Sequence, residues 1–293
     1  MKFLSGKELA RELESELQRQ AASLASGGHL PTLAVIRVGN DPGSEIYVRT
    51  KLKSAQRVGI TSLERQLPLT VSQQELEETV EAFNADPAIH GILCQLPLPA
   101  KIQLERIVER IDPLKDVDCF HPENVGLLAM GRPRFLPCTP AGILELLRRN
   151  EISVAGRHVV VLGRSNIVGR PLSILLSQKG VDATVTLCHS RTARLAEIAR
   201  EADILVAAIG RPEWVGADMV KEGAVVVDVG VHRVEDSSKE RGYRICGDVN
   251  QAEVAGRVSA MTPVPGGVGP MTVAMLVSNT LKAAFLQTQP RYE

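Results

Sequence analysis

The 293-residue chain is long enough for two domains, each able to bury a core. Its 34 Lys and Arg balance 34 Asp and Glu, so no global charge draws it to nucleic acid or to an anionic membrane, and any acidic ligand has to be held by local charge. Five cysteines, odd in number and without a C-x-x-C pair, argue against a disulfide framework and a zinc site and fit a reducing cytoplasm.

The first residues, MKFLSGKELARELE, lack the apolar run of a signal peptide. Ser5 with Glu8 reads as a capping box for an amphipathic helix that places Leu9, Leu13, Leu17, Ala21 and Leu24 on one face. Leu33 to Val38 is a strand, and the turn Gly39-Asn40-Asp41-Pro42-Gly43 leads to Ser44, the expected N-cap of a helix ending near Arg57. Tyr47 and Lys51 lie one turn apart on that helix and share a face. A strand from Ser62 to Leu67, a helix opened by Ser72 with Glu75, and a strand from His90 to Leu96 follow. The last of these ends at Gln95 and the stiff Pro97-Leu98-Pro99. A helix from Leu104 to Ile111 then gives way to the polar loop KDVDCFHPEN, completing a βαβ series in its own right.

Thr139-Pro140 sets the start of another helix. Beyond it strands and helices alternate: His158 to Leu162, Val168 to Gln178, Thr184 to Leu187, Ala193 to Glu201, Ile204 to Ile209, and Ala224 to Val229. Parallel strands joined by right-handed crossovers make this a doubly wound sheet. The stretch RHVVVLGRSNIVGRP is its centre, because an apolar strand that breaks at Gly163 and re-enters as a helix turns backbone N–H groups toward a phosphate. The spacing departs from G-x-G-x-x-G, with Ser165 at the second glycine and the next glycine at Gly169. An NAD site needs an acidic residue about 20 positions on, but the second strand runs into Cys188, His189, Ser190 and Arg191. Arg164 with Ser190 and Arg191 suits a 2′-phosphate, so the expected cofactor is NADP.

After Gly247-Asp248-Val249 and a short helix, the loop TPVPGGVGPMT (Thr262 to Thr272) concentrates Pro263, Pro265, Gly266, Gly267, Gly269 and Pro270. Such a loop is costly to order unless its shape matters. Met271 to Leu286 reads as a buried helix, too short and too polar to span a bilayer. Several features have plain readings. Ser165 is no nucleophile elbow, since G-x-S-x-G needs glycine where Ile167 stands. Six scattered histidines give no metal-ligand spacing. Taken alone, Tyr47 and Lys51 are an ordinary exposed helical turn, and Asp116 and Asp118 are ordinary loop residues.

The motifs together are more specific. VGNDPGSEIYVRTK, GILCQLPLP, KDVDCFHPENVG, PCTPAG, GRSNIVGRP, DVGVHR, GDV and PVPGGVGPMT occur in order along nearly the whole chain. In these the sequence resembles the bifunctional methylenetetrahydrofolate dehydrogenase/methenyltetrahydrofolate cyclohydrolase family. The resemblance implies an α/β fold of two domains flanking a cleft. An N-terminal α/β catalytic domain (residues 1–139) is completed by the C-terminal helix (271–293), and a Rossmann-like doubly wound NADP-binding domain occupies 140–270. It implies NADP-dependent oxidation of 5,10-methylenetetrahydrofolate to the methenyl form and hydrolysis of that cation to 10-formyltetrahydrofolate, by a cytoplasmic homodimer with no nucleic-acid or membrane partner.

Residue by residue, the resemblance implies that Lys51 is the acid/base of hydrolysis, with Gln95 bonded to it and Tyr47 against the pterin. Asp118 is implied to take the pterin N–H donors, and Pro265, Gly266 and Gly267 to help bind the folate. Gly163, Arg164, Ser165, Ile167, Ser190 and Val231 are the implied NADP contacts. One departure stands out: the family usually has glycine after KDVD, and here Cys119 occupies that position, which would strain the loop if it requires positive φ. Two rivals remain at this level: a two-domain NADP dehydrogenase for another small substrate, as in the shikimate-type dehydrogenases, and a non-catalytic NADP-binding protein.

Overall fold

In the computed structural model, which describes residues 1–289, the chain begins with β1 (Lys2–Phe3), α1 (Gly6–Ser26), β2 (Thr32–Val38), α2 (Pro42–Val58), β3 (Thr61–Leu67) and α3 (Gln73–Ala85). It continues through β4 (Gly91–Cys94), α4 (Leu104–Arg110), α5 (Pro122–Ala129) and α6 (Cys138–Arg149). Next come β5 (His158–Leu162), α7 (Gly169–Leu176), β6 (Thr184–Cys188), α8 (Leu195–Arg200), β7 (Ile204–Ala207) and β8 (Val225–Asp228). The last stretch holds β9 (His232–Glu235), β10 (Tyr243–Cys246), α9 (Gln251–Val254), β11 (Ala260–Met261) and α10 (Val268–Thr288).

The elements form two compact units, Arg11–Cys138 with the chain from Val273, and Met1–Ala10 with Thr139–Thr272. The first unit has a three-stranded parallel sheet in the order β3-β2-β4. Central β2 is apolar and buried along nearly its whole length, whereas edge strand β3, TSLERQL, is exposed except at Leu67, a polar edge that discourages further pairing. Ile36, Leu76, Val80, Ile92 and Ile107 form the core where α3 and α4 cover one face. Each such side chain contributes about 1.5–3 kcal/mol on burial. Ser72 and Glu75 make the expected capping box. The cap of α2 is not Ser44, however: the Asp41 carboxylate accepts from the Ser44 N–H at 2.7 Å, and Pro42 opens the helix. Asp41, Pro42 and Ser44 each carry a helix-start signal, and the acidic acceptor took the cap one turn earlier.

The second unit has six parallel strands in the order β1-β11-β8-β7-β5-β6. Its inner strands are unbroken apolar runs, as burial on both faces requires. From β5 the chain moves outward to β6 and then returns across β5 to β7, so the order reverses at the carboxyl ends of these strands, where an open α/β sheet receives its ligand. Met1–Ala10, expected with the catalytic domain, cluster with this unit, and β1 joins its sheet. Lys2 and Phe3 pair with Ala260 and Met261, and the Lys7 N–H donates to the Gly266 carbonyl at 3.0 Å. A two-residue strand carries no periodicity to reveal this. Beside the sheet, β9 and β10 form an antiparallel hairpin. Among the described residues no helix is long and apolar enough to cross a membrane.

Candidate functional site

In the three-stranded unit, α2 and the end of β4 bring Lys51 and Gln95 together. Lys51 is only 6% exposed, and its Nζ donates to Gln95 Oε1 at 2.9 Å. The same Nζ lies 4.8 Å from the centroid of the Tyr47 ring, one helical turn back. Gln95 is fixed in turn, since its N–H donates to the Ile36 carbonyl and its Nε2 to the Leu96 carbonyl. Burial lowers the pKa of Lys51 from the ordinary lysine value because the ammonium has left water, while the negative charge of Asp118 acts in the opposite direction. A buried amine whose nearest charge is a single carboxylate is poised to gain and lose a proton.

Asp118 sits on the loop between α4 and α5. Its neighbour Asp116, read from sequence as ordinary loop solvation, is buried and accepts from Phe120 N–H (3.1 Å), His121 N–H (2.9 Å) and Asn124 Nδ2 (2.8 Å). That set of bonds fixes the loop and the start of α5, a helix opened by Pro122 inside the segment read as a polar loop. Asn279 of α10 completes the support by donating to the Val117 and Leu136 carbonyls, both at 2.8 Å. The Cys138 thiol lies 3.3 Å from the Val117 carbonyl and bonds to the Asp118 carboxylate. Cys119 has φ +62, the left-handed backbone that favours glycine, with its Sγ 3.3 Å from the Phe135 carbonyl. It is buried, and burial pushes its thiol pKa up, so it is an inert packing group rather than a reactive thiol. A cavity of about 650 Å³ lined by Arg37, Arg49 and Lys53 contains none of Tyr47, Lys51, Gln95 or Asp118.

In the six-stranded unit the turn after β5 is shaped by contact. Gly163 has φ +116, and a Cβ there would meet the Ala208 carbonyl oxygen at 2.0 Å. A Cβ on Gly169, the first residue of α7, would lie 1.8 Å from the Gly163 carbonyl oxygen. Ser165 Oγ accepts from the Val168 N–H at 3.1 Å, so the serine at the second glycine position braces the turn. Beside it is a cavity of about 480 Å³, lined by Gly163, Arg164, Ser165, His189, Ser190, Arg211 and Trp214 among others. Among the described residues two arginines and no carboxylate line it. The glycine cradle, the cavity volume and this charge fit a dinucleotide carrying a 2′-phosphate. Ile167 and Val231 are exposed and do not line the cavity. Pro265, Gly266 and Gly267 belong to this unit, in a loop where Gly266 has φ +107 and a Cβ on Gly267 would crowd the Pro263 carbonyl oxygen at 2.6 Å.

Sequence reasoning missed two buried carboxylates in the same unit. Asp228 accepts from the N–H groups of Gly230 (3.0 Å), Asp248 (2.8 Å) and Val249 (3.0 Å), and burial raises its pKa to about 6. Asp248, fully buried, accepts from the N–H groups of Ile209 (2.6 Å), Gly210 (3.0 Å) and Arg211 (2.9 Å) and lies 2.7 Å from His232 Nε2. The short DVG and GDV strings were the available signal, each an acidic residue next to glycine, and those glycines leave room for the carboxylates. A Cβ on Gly247 would stand 1.9 Å from Asp228 Oδ2, and one on Gly230 would stand 2.4 Å from Asp248 Oδ1. Among the described residues no group of three His, Cys, Asp or Glu side chains is arranged to hold a metal ion.

Comparison with known proteins also finds two parts, with bounds that differ from those of the compact units at residues 4–10 and 273–288. The catalytic domain of tetrahydrofolate dehydrogenase/cyclohydrolase matches residues 4–118, and the NAD(P)-binding domain of the same enzymes matches residues 137–288. The bifunctional protein FolD of Prosthecochloris aestuarii is 51% identical over 288 residues, which are 97% of this chain and 98% of that protein. The solved FolD methylenetetrahydrofolate dehydrogenase/cyclohydrolase of Campylobacter jejuni is 45% identical with a TM-score of 0.92, covering 98% of this chain and 99% of that one. The Trypanosoma brucei enzyme, solved with NADP cofactor and an inhibitor, is 40% identical with a TM-score of 0.93 and covers 98% of both chains.

Proposed function

Since the chain belongs to the tetrahydrofolate dehydrogenase/cyclohydrolase family, we propose that the Lys51 cluster and the Gly163 cavity are the two working parts of one enzyme. The protein is a bifunctional enzyme of one-carbon folate metabolism. It oxidises 5,10-methylenetetrahydrofolate to 5,10-methenyltetrahydrofolate with NADP and hydrolyses that product to 10-formyltetrahydrofolate.

The buried contact of Lys51 with Gln95 carries the assignment of roles. In its neutral form Lys51 takes a proton from the water that attacks the methenyl carbon, and as the ammonium it returns that proton to the ring nitrogen that leaves, while the hydroxyl proton of the adduct is released to solvent as the formyl carbonyl forms. Gln95 Oε1 orients the amine. The Tyr47 ring packs against the pterin, and its face favours the positive charge of both the ammonium and the methenyl cation. Asp118, an acceptor-only group when ionised, takes the pterin amino and ring N–H donors, and those donors favour its ionised form. Pro265, Gly266 and Gly267 contribute backbone contacts to the folate. NADP, when bound, supplies the hydride acceptor. The turn from Gly163 to Gly169 holds its pyrophosphate, Arg164 and Ser190 its 2′-phosphate, and Ser165, Ile167 and Val231 complete the contact. Hydride transfer needs little acid/base help, so these residues act chiefly by alignment. The enzyme works as a homodimer in the cytoplasm, a compartment that suits five free, buried cysteines.

A run with 5,10-methylenetetrahydrofolate, following NADPH and methenyltetrahydrofolate separately, tests this reading. The expected result is rapid NADPH formation with little methenyl intermediate, and much slower reduction when NAD replaces NADP. No reduction of either coenzyme by folded protein would contradict it.

A further inference from the structure

Of the strings DVGVHR and GDV only Val231 has a role so far, yet they also contain Asp228, His232 and Asp248. Asp248 binds the segment after β7 at both ends. Its carboxylate gathers three consecutive N–H groups, of Ile209, Gly210 and Arg211, and its own carbonyl accepts from the Val215 N–H at 2.9 Å. Between these points the Glu213 N–H donates to the Gly247 carbonyl at 2.9 Å, and Glu213 has φ +51, a left-handed backbone that the segment would not keep by itself. The side chains so placed are Ile209, Arg211 and Trp214, which form one wall of the 480 Å³ cavity.

Among the described residues the buried Asp248 carboxylate has one side-chain partner, His232, whose Nε2 lies 2.7 Å from Oδ1. His232 opens β9 directly after Val231. Asp228 secures the other side, holding the N–H groups of Gly230, Asp248 and Val249 while the Thr262 hydroxyl accepts from its own N–H at 2.8 Å. A buried carboxylate saturated by backbone donors fixes those donors as a set, and removing one donor leaves a lone pair unmet and loosens the rest.

We propose that Asp248, clamped by His232, is a positioning residue for the coenzyme: it fixes the Ile209–Val215 segment that presents Arg211 and Trp214 to the cavity, and through His232 it also fixes Val231. This rests on the reading of the cavity as the NADP site. Neither side chain touches the coenzyme; each acts through the segment it holds.

Trp214 is the sole tryptophan of the chain, and its place in the cavity wall makes its emission a direct reporter of NADPH binding. NADPH is titrated into the full-length protein, into His232→Ala and into His232→Gln, the last of which keeps an N–H donor near the Nε2 position. Hydrolysis of methenyltetrahydrofolate without coenzyme is measured on each, since that step uses the Lys51 cluster. The expected result is NADPH binding weakened about tenfold in His232→Ala, within about threefold of the parent in His232→Gln, and hydrolysis retained in both. Equal affinity of His232→Ala and the parent overturns the proposal, as does an equal loss in both variants or a matching loss of hydrolysis. No change in Trp214 emission when NADPH is added to the parent protein would overturn the cavity assignment itself, a result distinct from the others.

Discussion

The two units each bury charge, but they satisfy it in opposite ways. In the six-stranded unit the carboxylates of Asp228 and Asp248 are met mainly by backbone N–H groups, six in all. In the three-stranded unit the Lys51 ammonium is met by one side-chain oxygen and by a ring face. Backbone donors cannot leave without unfolding their segments, so the first arrangement is architecture. A side-chain acceptor and a facing ring leave the buried amine with a lowered pKa, an arrangement that fits the acid/base role proposed for Lys51. Burial marks both, and the identity of the hydrogen-bond partner separates them. Asp116 and Asp118 repeat the contrast two residues apart: Asp116 is taken up by two N–H groups and Asn124, while Asp118 remains beside Lys51 and Cys138.

The comparison breaks most visibly at Lys51. Lys51→Gln should slow methenyl hydrolysis by at least about 100-fold, the range of a lost general acid/base, with NADPH affinity by Trp214 titration unchanged. A parallel loss of coenzyme binding would mean that the residue is structural after all. Next in size, Arg164→Ala should weaken NADP binding about 10- to 100-fold through loss of a charge-assisted phosphate contact, with NAD binding nearly unchanged. An equal loss for both coenzymes would move the 2′-phosphate site elsewhere. A smaller effect sharpens the electrostatics. The Asp118 carboxylate raises the pKa of Lys51 against the lowering due to burial, so Asp118→Asn removes the stabilising charge and lowers that pKa further. The neutral amine then persists to lower pH, and the acid limb of the hydrolysis profile should shift toward lower pH, with a raised KM for the folate. A shift toward higher pH would reverse the assigned coupling.

The smallest effect concerns Cys119. With φ +62, Cys119→Gly relieves left-handed strain while losing a buried thiol, whereas Cys119→Ala loses the thiol and keeps the strain. Glycine should therefore be the more stable replacement by about 1 kcal/mol, inverting the usual order of alanine over glycine. Chemical denaturation of the two variants measures this, and alanine proving the more stable would remove the strain argument.

What could be read from sequence follows the range of the interaction. The strand from His158 to Leu162 has the bounds expected of it, because four consecutive apolar residues, Val159 to Leu162, ended by glycine are a local signal. The box of Ser72 and Glu75 spans one turn and is equally legible. Tyr47 and Lys51 were placed on one face by helical spacing alone, whereas the approach of Gln95 crosses 44 residues and entered only through family resemblance. Asp248 reaches residues 37 to 39 positions away, and nothing in the string GDV marks it as buried. The helix Pro122–Ala129 was missed although proline at its first position is a start signal, because the polar residues around it read as loop. The grouping of the first ten residues with the six-stranded sheet depends on pairing with residues near 260, and a strand of two residues leaves no periodic trace.

The most direct test of this division of labour is one progress curve for the parent and one for Lys51→Gln, each supplied with 5,10-methylenetetrahydrofolate and NADP, with methenyltetrahydrofolate and NADPH followed separately. If Lys51 serves hydrolysis and the Gly163 cavity serves the coenzyme, the parent forms NADPH without accumulating methenyl folate, and the variant forms NADPH while methenyl folate builds up. A variant that hydrolyses methenyl folate at the parent rate would contradict the account.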